Sequence, residues 1–196
     1  SHLHYHYTSG MVFALMMLGH DSYAGTQTPN YPDAAFGLIS YYDQYYQKKL
    51  QKETGKPLDA NGKLVIYPSD ALEIYHGCTN NTDVIAGLTA LTDNLLAVPA
   101  SSLTPAQRAY CSAFKKRIPP FPIREKDGRK YLAAAESWQW VFHNANMEFP
   151  QMYVCFPYGI LSLGRSDMSL AKNTWDLGAA GNPVVQKQNQ CWYQTA

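Results

Sequence analysis

Residues 79–96 read TNNTDVIAGLTALTDNLL, and this stretch decides the fold prediction. Its apolar residues recur every three or four positions as far as Val98, which is the spacing of one helix face. Thr82 or Asp83 supplies an N-cap in front of that face. The stretch therefore predicts a helix with one continuous apolar stripe.

Other segments carry the same helical spacing. A nearly all-apolar helix is predicted from Thr8 or Ser9 to Gly19, buried almost all round. A longer helix is predicted from Asp33, and the capping box at 104–107, with Pro105 at the first helical position, opens another. Two more helices are predicted over 151–163 and 166–175, a short strand over 62–68, and a turn at 127–128 between extended pieces. The sequence thus predicts about six helices with two short β-hairpin insertions.

Composition limits the class of protein. Of the 196 residues, 46% are hydrophobic and 16% are charged, against about 25% charged in ordinary soluble domains. This composition excludes disorder and indicates a large buried core. We expect a single domain over residues 1–196, and we expect it to be an incomplete portion of a larger catalytic domain.

Charge and cysteine usage bear on partners and location. Sixteen basic and fifteen acidic side chains give a net charge of +1, so we expect no nucleic-acid partner. The longest apolar run is too short to span a bilayer, so we expect no membrane partner. Four cysteines with no metal-ligand spacing are either buried small residues or one or two disulfides. Together with the glycosylation sequon that begins at Asn80, they favour a secreted, extracellular protein.

Glu73 is the candidate catalytic residue. It follows a predicted strand and precedes the helix of 79–96, where binding residues tend to collect. Its apolar neighbours Leu72, Ile74 and Tyr75 would raise its carboxyl pKa by desolvation, as a general acid requires. The alternative interpretation is an ordinary surface glutamate in a loop.

Two polar segments and a tryptophan pair are candidates for sugar binding. Asn80, Asn81 and Asp83 stand at a helix N-terminus, where Asp83 alternatively acts only as a cap. The second polar segment, residues 143–150, precedes another apolar stretch, and a plain inter-helix loop would have the same composition. Trp138 and Trp140 either present an aromatic face to a sugar or pack in the core. The predicted substrate-binding residues are Asn80, Asn81, Asp83, His143, Asn144, Glu148 and Trp138.

Other chemistries find little support. His2, His4 and His6 alternate and would share one side of an extended chain, but no acidic residue lies near them, so we predict no metal site. The sequence contains no GxSxG nucleophile motif and no Gly-rich phosphate loop, so we expect no nucleotide and no cofactor.

These motifs resemble the alpha-L-fucosidase family of the six-hairpin glycosidases. PSDALE at 68–73 is similar to the family's PSxSPE motif, and 79–96 falls where the family carries a Gly/Thr-Asp-helix segment. The run EFPQMYVCFPYGI at 148–160 resembles the family's later His-rich loop and helix, with Glu148 and Gln151 in place of histidines. An uncharacterised branch of secreted glycoside hydrolases is more similar still, over most of the chain.

The resemblance implies a mainly α fold, part of an (α/α)6 toroid of helical hairpins with short β-hairpin insertions. It also implies a glycoside hydrolase of carbohydrate metabolism that acts on a polysaccharide or oligosaccharide with inversion. Carried over to this sequence, Glu73 is the general acid, with Leu72 where the family has proline. The family's Gly-Trp segment with its catalytic base has no counterpart here, so the base lies outside the chain or is Glu148 or Asp83.

Two alternative functions stay open at this point. A polysaccharide lyase on the same toroid would use Tyr75, His76 and Asn80. A non-catalytic glycan-binding protein would keep the fold and lose the carboxylate chemistry.

Overall fold

A computed structural model describes residues 8–141, 148–164 and 168–178. They form two compact units. One, here called the helical unit, comprises Thr8–Val65 and Gly87–Pro119. The other, here called the hairpin unit, comprises Ile66–Ala86 and the described residues from Pro120 onward. The prediction of one domain over residues 1–196 stays a prediction.

The helical unit is built from long helices. They are α1 (Thr8–Ala24), α2 (Asn30–Thr54), most of α3 (Thr82–Ala97) and α4 (Pro105–Arg117). α1 packs on α2 and α2 packs on α4, with Ile39, Tyr46 and Phe114 fully buried. The predicted capping box is confirmed, because the Thr104 hydroxyl accepts the Gln107 N–H while the Gln107 side chain accepts the Thr104 N–H.

The hairpin unit contains two small antiparallel sheets. β1 (Ser69–Ala71) and β2 (Tyr75–Cys78) form a hairpin, and β3 (Ile123–Lys126) and β4 (Arg129–Leu132) form another. The predicted turn at 127–128 is confirmed, with positive φ at Asp127 and Gly128 as a tight hairpin turn requires. β5 (Trp140–Val141) adds to β2 and completes the order β1-β2-β5. α5 (Ser169–Asn173), continued by a π-helix over Thr174–Gly178, packs on β4.

The predicted (α/α)6 toroid is wrong. The described residues contain five α-helices and a few short antiparallel strands, without the succession of helical hairpins that a toroid needs. After α4 the prolines at 119, 120 and 122 prevent further helical hydrogen bonding. The chain beyond them forms β3 and β4, and its described residues include only one short α-helix, α5.

Several predicted elements also differ. The helix expected over 151–163 is only a 3-10 turn at Pro150–Val154, because Pro157 lacks an N–H and Gly159 has φ 60°. The strand expected over 62–68 joins no ladder, although Leu64 and Ile66 are fully buried as its alternation predicts. α1 extends beyond Gly19, and it is not buried all round, since Phe13 is 62% exposed.

Asp21 fixes the connection between α1 and α2. Its carboxylate accepts hydrogen bonds from the Thr28 N–H at 2.7 Å and from the hydroxyls of Thr26 and Thr28 at 2.8 Å each. Desolvation raises the Asp21 pKa, but these hydrogen bonds together outweigh it and lower the pKa below its usual 3.8. The stabilisation is therefore present at neutral pH and is lost as the pH falls through the lowered pKa.

We expect the Thr28 amide proton resonance to move on acidification with a midpoint below 3.8, as the carboxylate that it contacts is protonated. A pH titration followed by NMR measures this midpoint. In Asp21→Asn the same resonance should not titrate in that range. A midpoint at or above the usual value would contradict the assignment.

Candidate functional site

Glu73 lies at the tip of the β1–β2 hairpin with its side chain exposed. The residue before it, Leu72, is buried and has φ 52°, a left-handed conformation that is rare for a branched side chain. Glu148, 75 positions away in sequence, reaches the same tip, where its Oε2 accepts the Glu73 backbone N–H at 3.1 Å. The fold thus brings the Glu148 carboxylate to the backbone of Glu73 at the hairpin tip.

A buried ion pair lies behind the hairpin tip. Asp70 and His76 are 3% and 4% exposed, and Asp70 Oδ2 lies 3.2 Å from His76 Nδ1. The other carboxylate oxygen accepts the Gly77 N–H at 3.0 Å. His76 Nε2 lies 3.1 Å from the carbonyl oxygen of Glu73. The side chains of Asp70 and His76 are therefore tied to the backbone that carries Glu73.

Trp140 covers the imidazole. Its ring stacks on His76 with centroids 3.9 Å apart and an interplanar angle of 17°, and it stays 41% exposed. The exposed part of such an indole offers an apolar aromatic surface on which a ligand ring can pack. Trp140 is therefore the aromatic surface of this candidate site.

The polar cluster at the start of α3 is occupied by structural contacts. Asn80 accepts the Ile66 N–H at 2.9 Å and donates to Glu136 at 2.7 Å. Asn81 and Asp83 are fully buried, and the Asn81 amide donates to Asp83 Oδ1 at 2.6 Å. These contacts favour the interpretation that the cluster anchors the helix start. Secretion stays a prediction.

Trp138 is partly buried and packs against the core of the hairpin unit. Its ring meets Tyr75 edge-to-face at 5.0 Å, and the Arg124 guanidinium lies 4.6 Å from its centroid. These neighbours favour core packing for Trp138.

Cys78 is buried beside the ion pair and shows no nucleophile character. Burial, together with the charges of Asp83 and Asp70, raises the pKa of its thiol to about 12. A thiol with so high a pKa stays protonated at neutral pH and is unreactive. Cys78, Cys111 and Cys155 are all free thiols, and Cys191 lies outside the described residues.

The structure brings together Glu73 and Glu148, and it adds residues that the sequence prediction did not include in the site: Asp70, His76 and Trp140. A usable signal existed, because Asp70 and His76 flank Glu73 at equal distances of three residues. In a hairpin such positions lie side by side. His143, Asn144 and the three histidines of the N-terminal run fall outside the described residues.

The helical unit has a separate cleft of about 730 Å³. It lies between the α1–α2 connection and the α3–α4 connection and is lined mainly by hydroxyl and amide side chains with Asp21 and Asp33. None of the predicted site residues lines it.

The described residues show neither a cluster of metal ligands nor a helix that could span a membrane. Across 8–141, 148–164 and 168–178, no three His, Cys, Asp or Glu side chains gather as metal ligands would. In the same part of the chain, no helix combines the length and apolar character needed to cross a membrane.

No protein-family model, no curated protein and no solved structure matches this chain. The resemblance to the alpha-L-fucosidase family therefore rests on the quoted motifs alone.

Proposed function

We propose that the hairpin tip is the acid/base site of a glycoside hydrolase that acts on a polysaccharide or oligosaccharide. Glu73 is the general acid and Glu148 is the general base. The observation that carries this proposal is the contact between the Glu148 carboxylate and the Glu73 backbone, which joins two distant carboxylate residues at one exposed tip. The motif around Glu73 agrees with it.

The reaction divides between the two carboxyl groups. Glu73 gives its proton to the glycosidic oxygen as the bond from that oxygen to the anomeric carbon breaks. Glu148 takes a proton from a water that attacks the anomeric carbon from the opposite face. Inversion by this route needs carboxyl groups about 6.5–9.5 Å apart.

Asp83 is the less favoured base. It is fully buried and hydrogen-bonded by Asn81, so a water attacking a sugar would not reach it. Glu148 is partly exposed beside the tip.

The lyase alternative is also disfavoured. His76 is buried with its ring nitrogens facing Asp70 and the Glu73 carbonyl, and the Asn80 side chain is engaged by Ile66 and Glu136. A lyase would need these groups to face a uronate.

Glu148→Ala should slow turnover by about 10²-fold or more, because a positioned base contributes that much. Azide should restore turnover, since it needs no deprotonation, and the product should be a glycosyl azide of inverted configuration. Product analysis by NMR measures both the rescue and the anomeric outcome.

Glu125→Ala is the matched control, because Glu125 is an exposed glutamate on β3 of the same unit. It should keep full activity and gain nothing from azide. Wild-type activity in Glu148→Ala would remove Glu148 from the mechanism.

Glycan binding without turnover is the second candidate. The exposure of Glu73 favours it, because a general acid is usually desolvated to raise its pKa and a binding residue needs no such environment. Calorimetry and a turnover assay on the same glycan panel separate the two. Binding with no turnover of any glycan would overturn the hydrolase proposal.

A further inference from the structure

The contacts of His76 define its protonation. A backbone carbonyl only accepts hydrogen bonds, so the nitrogen 3.1 Å from the Glu73 oxygen carries a proton. The other nitrogen, Nδ1, lies 3.2 Å from a carboxylate oxygen of Asp70. Without a proton between them, two lone pairs would face each other in a buried site, at a large free-energy cost. A proton must therefore lie between Nδ1 and the carboxylate, and because imidazole is a stronger base than a carboxylate, this proton is assigned to Nδ1, so that both ring nitrogens carry protons.

The surroundings favour the resulting imidazolium. Asp70 supplies the opposite charge, which a buried cation needs. The Trp140 ring lies parallel at 3.9 Å, and an aromatic face attracts a cation. One side of the ring is thus neutralised by a carboxylate and one face is covered by an indole.

The same ring holds one end of the Glu73 residue. His76 binds the Glu73 carbonyl, and Glu148 binds the Glu73 N–H. Both polar backbone groups of Glu73 are therefore fixed by side chains, although the residue lies at an exposed hairpin tip. Leu72, with its uncommon φ of 52°, is held in place by the same arrangement.

We propose that Asp70 and His76 are positioning residues. Asp70 keeps His76 as an imidazolium, and this imidazolium fixes the Glu73 backbone so that its carboxyl group is held in one place. The catalytic consequence rests on the proposed function, whereas the charge and the ordering do not.

Asp70→Asn is the sharpest test because it preserves the shape of the site. The Asn oxygen can still accept the Gly77 N–H that Asp70 accepts now. Its NH₂ group would then face His76 Nδ1. That nitrogen must lose its proton in order to accept a hydrogen bond from the NH₂ group. The variant therefore exchanges an imidazolium for a neutral ring with few other changes.

The first readout is ¹⁵N NMR of the imidazole at neutral pH. In the wild type both His76 nitrogens should show protonated-ring resonances, and in Asp70→Asn the Nδ1 resonance should become that of an unprotonated nitrogen. His76→Gln assigns the signals, and His20→Gln, which removes an exposed histidine of the helical unit, is the control. An unprotonated His76 nitrogen in the wild type would overturn the proposal.

The second readout is the order parameter of the Glu73 amide from NMR relaxation. It should fall in Asp70→Asn while circular dichroism shows an unchanged fold, and it should not fall in His20→Gln. An unchanged order parameter would overturn the positioning role.

Kinetics then separates this proposal from the proposed function. If the wild type hydrolyses a glycan, Asp70→Asn should lower kcat by roughly 10- to 100-fold with KM nearly unchanged, since misplacement of a reacting group costs about that much. An unchanged kcat would overturn the positioning role. If the wild type hydrolyses nothing and both NMR readouts hold, the hydrolase proposal fails and the positioning of Glu73 stands.

Discussion

Glu73→Gln should slow hydrolysis of an ordinary glycosidic linkage by about 10²- to 10⁴-fold, the usual contribution of a positioned general acid. The amide has nearly the same shape and cannot supply the proton that the leaving sugar oxygen needs. An aryl glycoside with an acidic phenol leaving group departs without protonation, so its hydrolysis should change little. Steady-state kinetics on the two substrates measures this difference.

Comparing the two substrates distinguishes loss of the general acid from a distortion of the hairpin tip. Glu73 is exposed, so the substitution should alter stability by less than about 0.5 kcal/mol. Glu125→Gln, on the exposed face of β3, should change neither rate. Equal losses on both substrates would indicate a distorted tip, and no loss on either would remove Glu73 as the acid.

Asp43→Ala should destabilise the protein by about 3–5 kcal/mol, the cost of leaving a buried ion pair without one partner. Asp43 is 2% exposed and accepts from four donor atoms. They are Arg117 Nε at 3.0 Å, Arg117 Nη2 at 2.6 Å, the Tyr110 hydroxyl at 2.6 Å and Gln47 Nε2 at 2.8 Å. Removal of the carboxylate leaves the Arg117 charge partly buried and without its counter-ion. Urea unfolding measures the change.

Asp93→Ala is the matched control, because Asp93 also pairs with a cation, Lys115, at 2.6 Å, with its side chain 44% exposed. An exposed pair contributes about 0–1 kcal/mol. If Asp43→Ala does not fold, the double variant Asp43→Leu/Arg117→Met tests the same idea, since replacing both partners by apolar residues removes the unpaired charge and should restore folding. Equal losses for Asp43→Ala and Asp93→Ala would contradict the account.

The same cluster shows how burial alters a side chain. Burial, together with the hydrogen bond to the Asp43 carboxylate, raises the Tyr110 pKa to about 12. Tyr110 therefore keeps its proton and donates to Asp43 throughout the neutral range.

The helices were predictable where one chain segment contains all the information. The apolar stripe of α3, the capping box of α4 and the Asp127-Gly128 turn depend on spacing and on local hydrogen bonds, and each was confirmed. The predicted helix over 151–163 was wrong because Pro157 and Gly159 interrupt helical hydrogen bonding in a segment whose apolar spacing is otherwise helical. The toroid prediction was wrong because it came from a resemblance of short motifs, whereas the packing partners of helices are fixed by contacts between distant segments.

The candidate site also has features that the sequence indicates and features that only the folded chain shows. The sequence by itself indicated Glu73 and Glu148 as candidates. Both carboxylates lie in motif-like segments near the ends of predicted elements, and this can be read from the order of residues alone. Only the tertiary structure decided that Glu148 meets Glu73, that Asn81 and Asp83 are buried, and that Trp140 covers His76. The physical reason is that capping and periodicity act over a few residues, while burial and a contact across 75 positions exist only after the chain has folded.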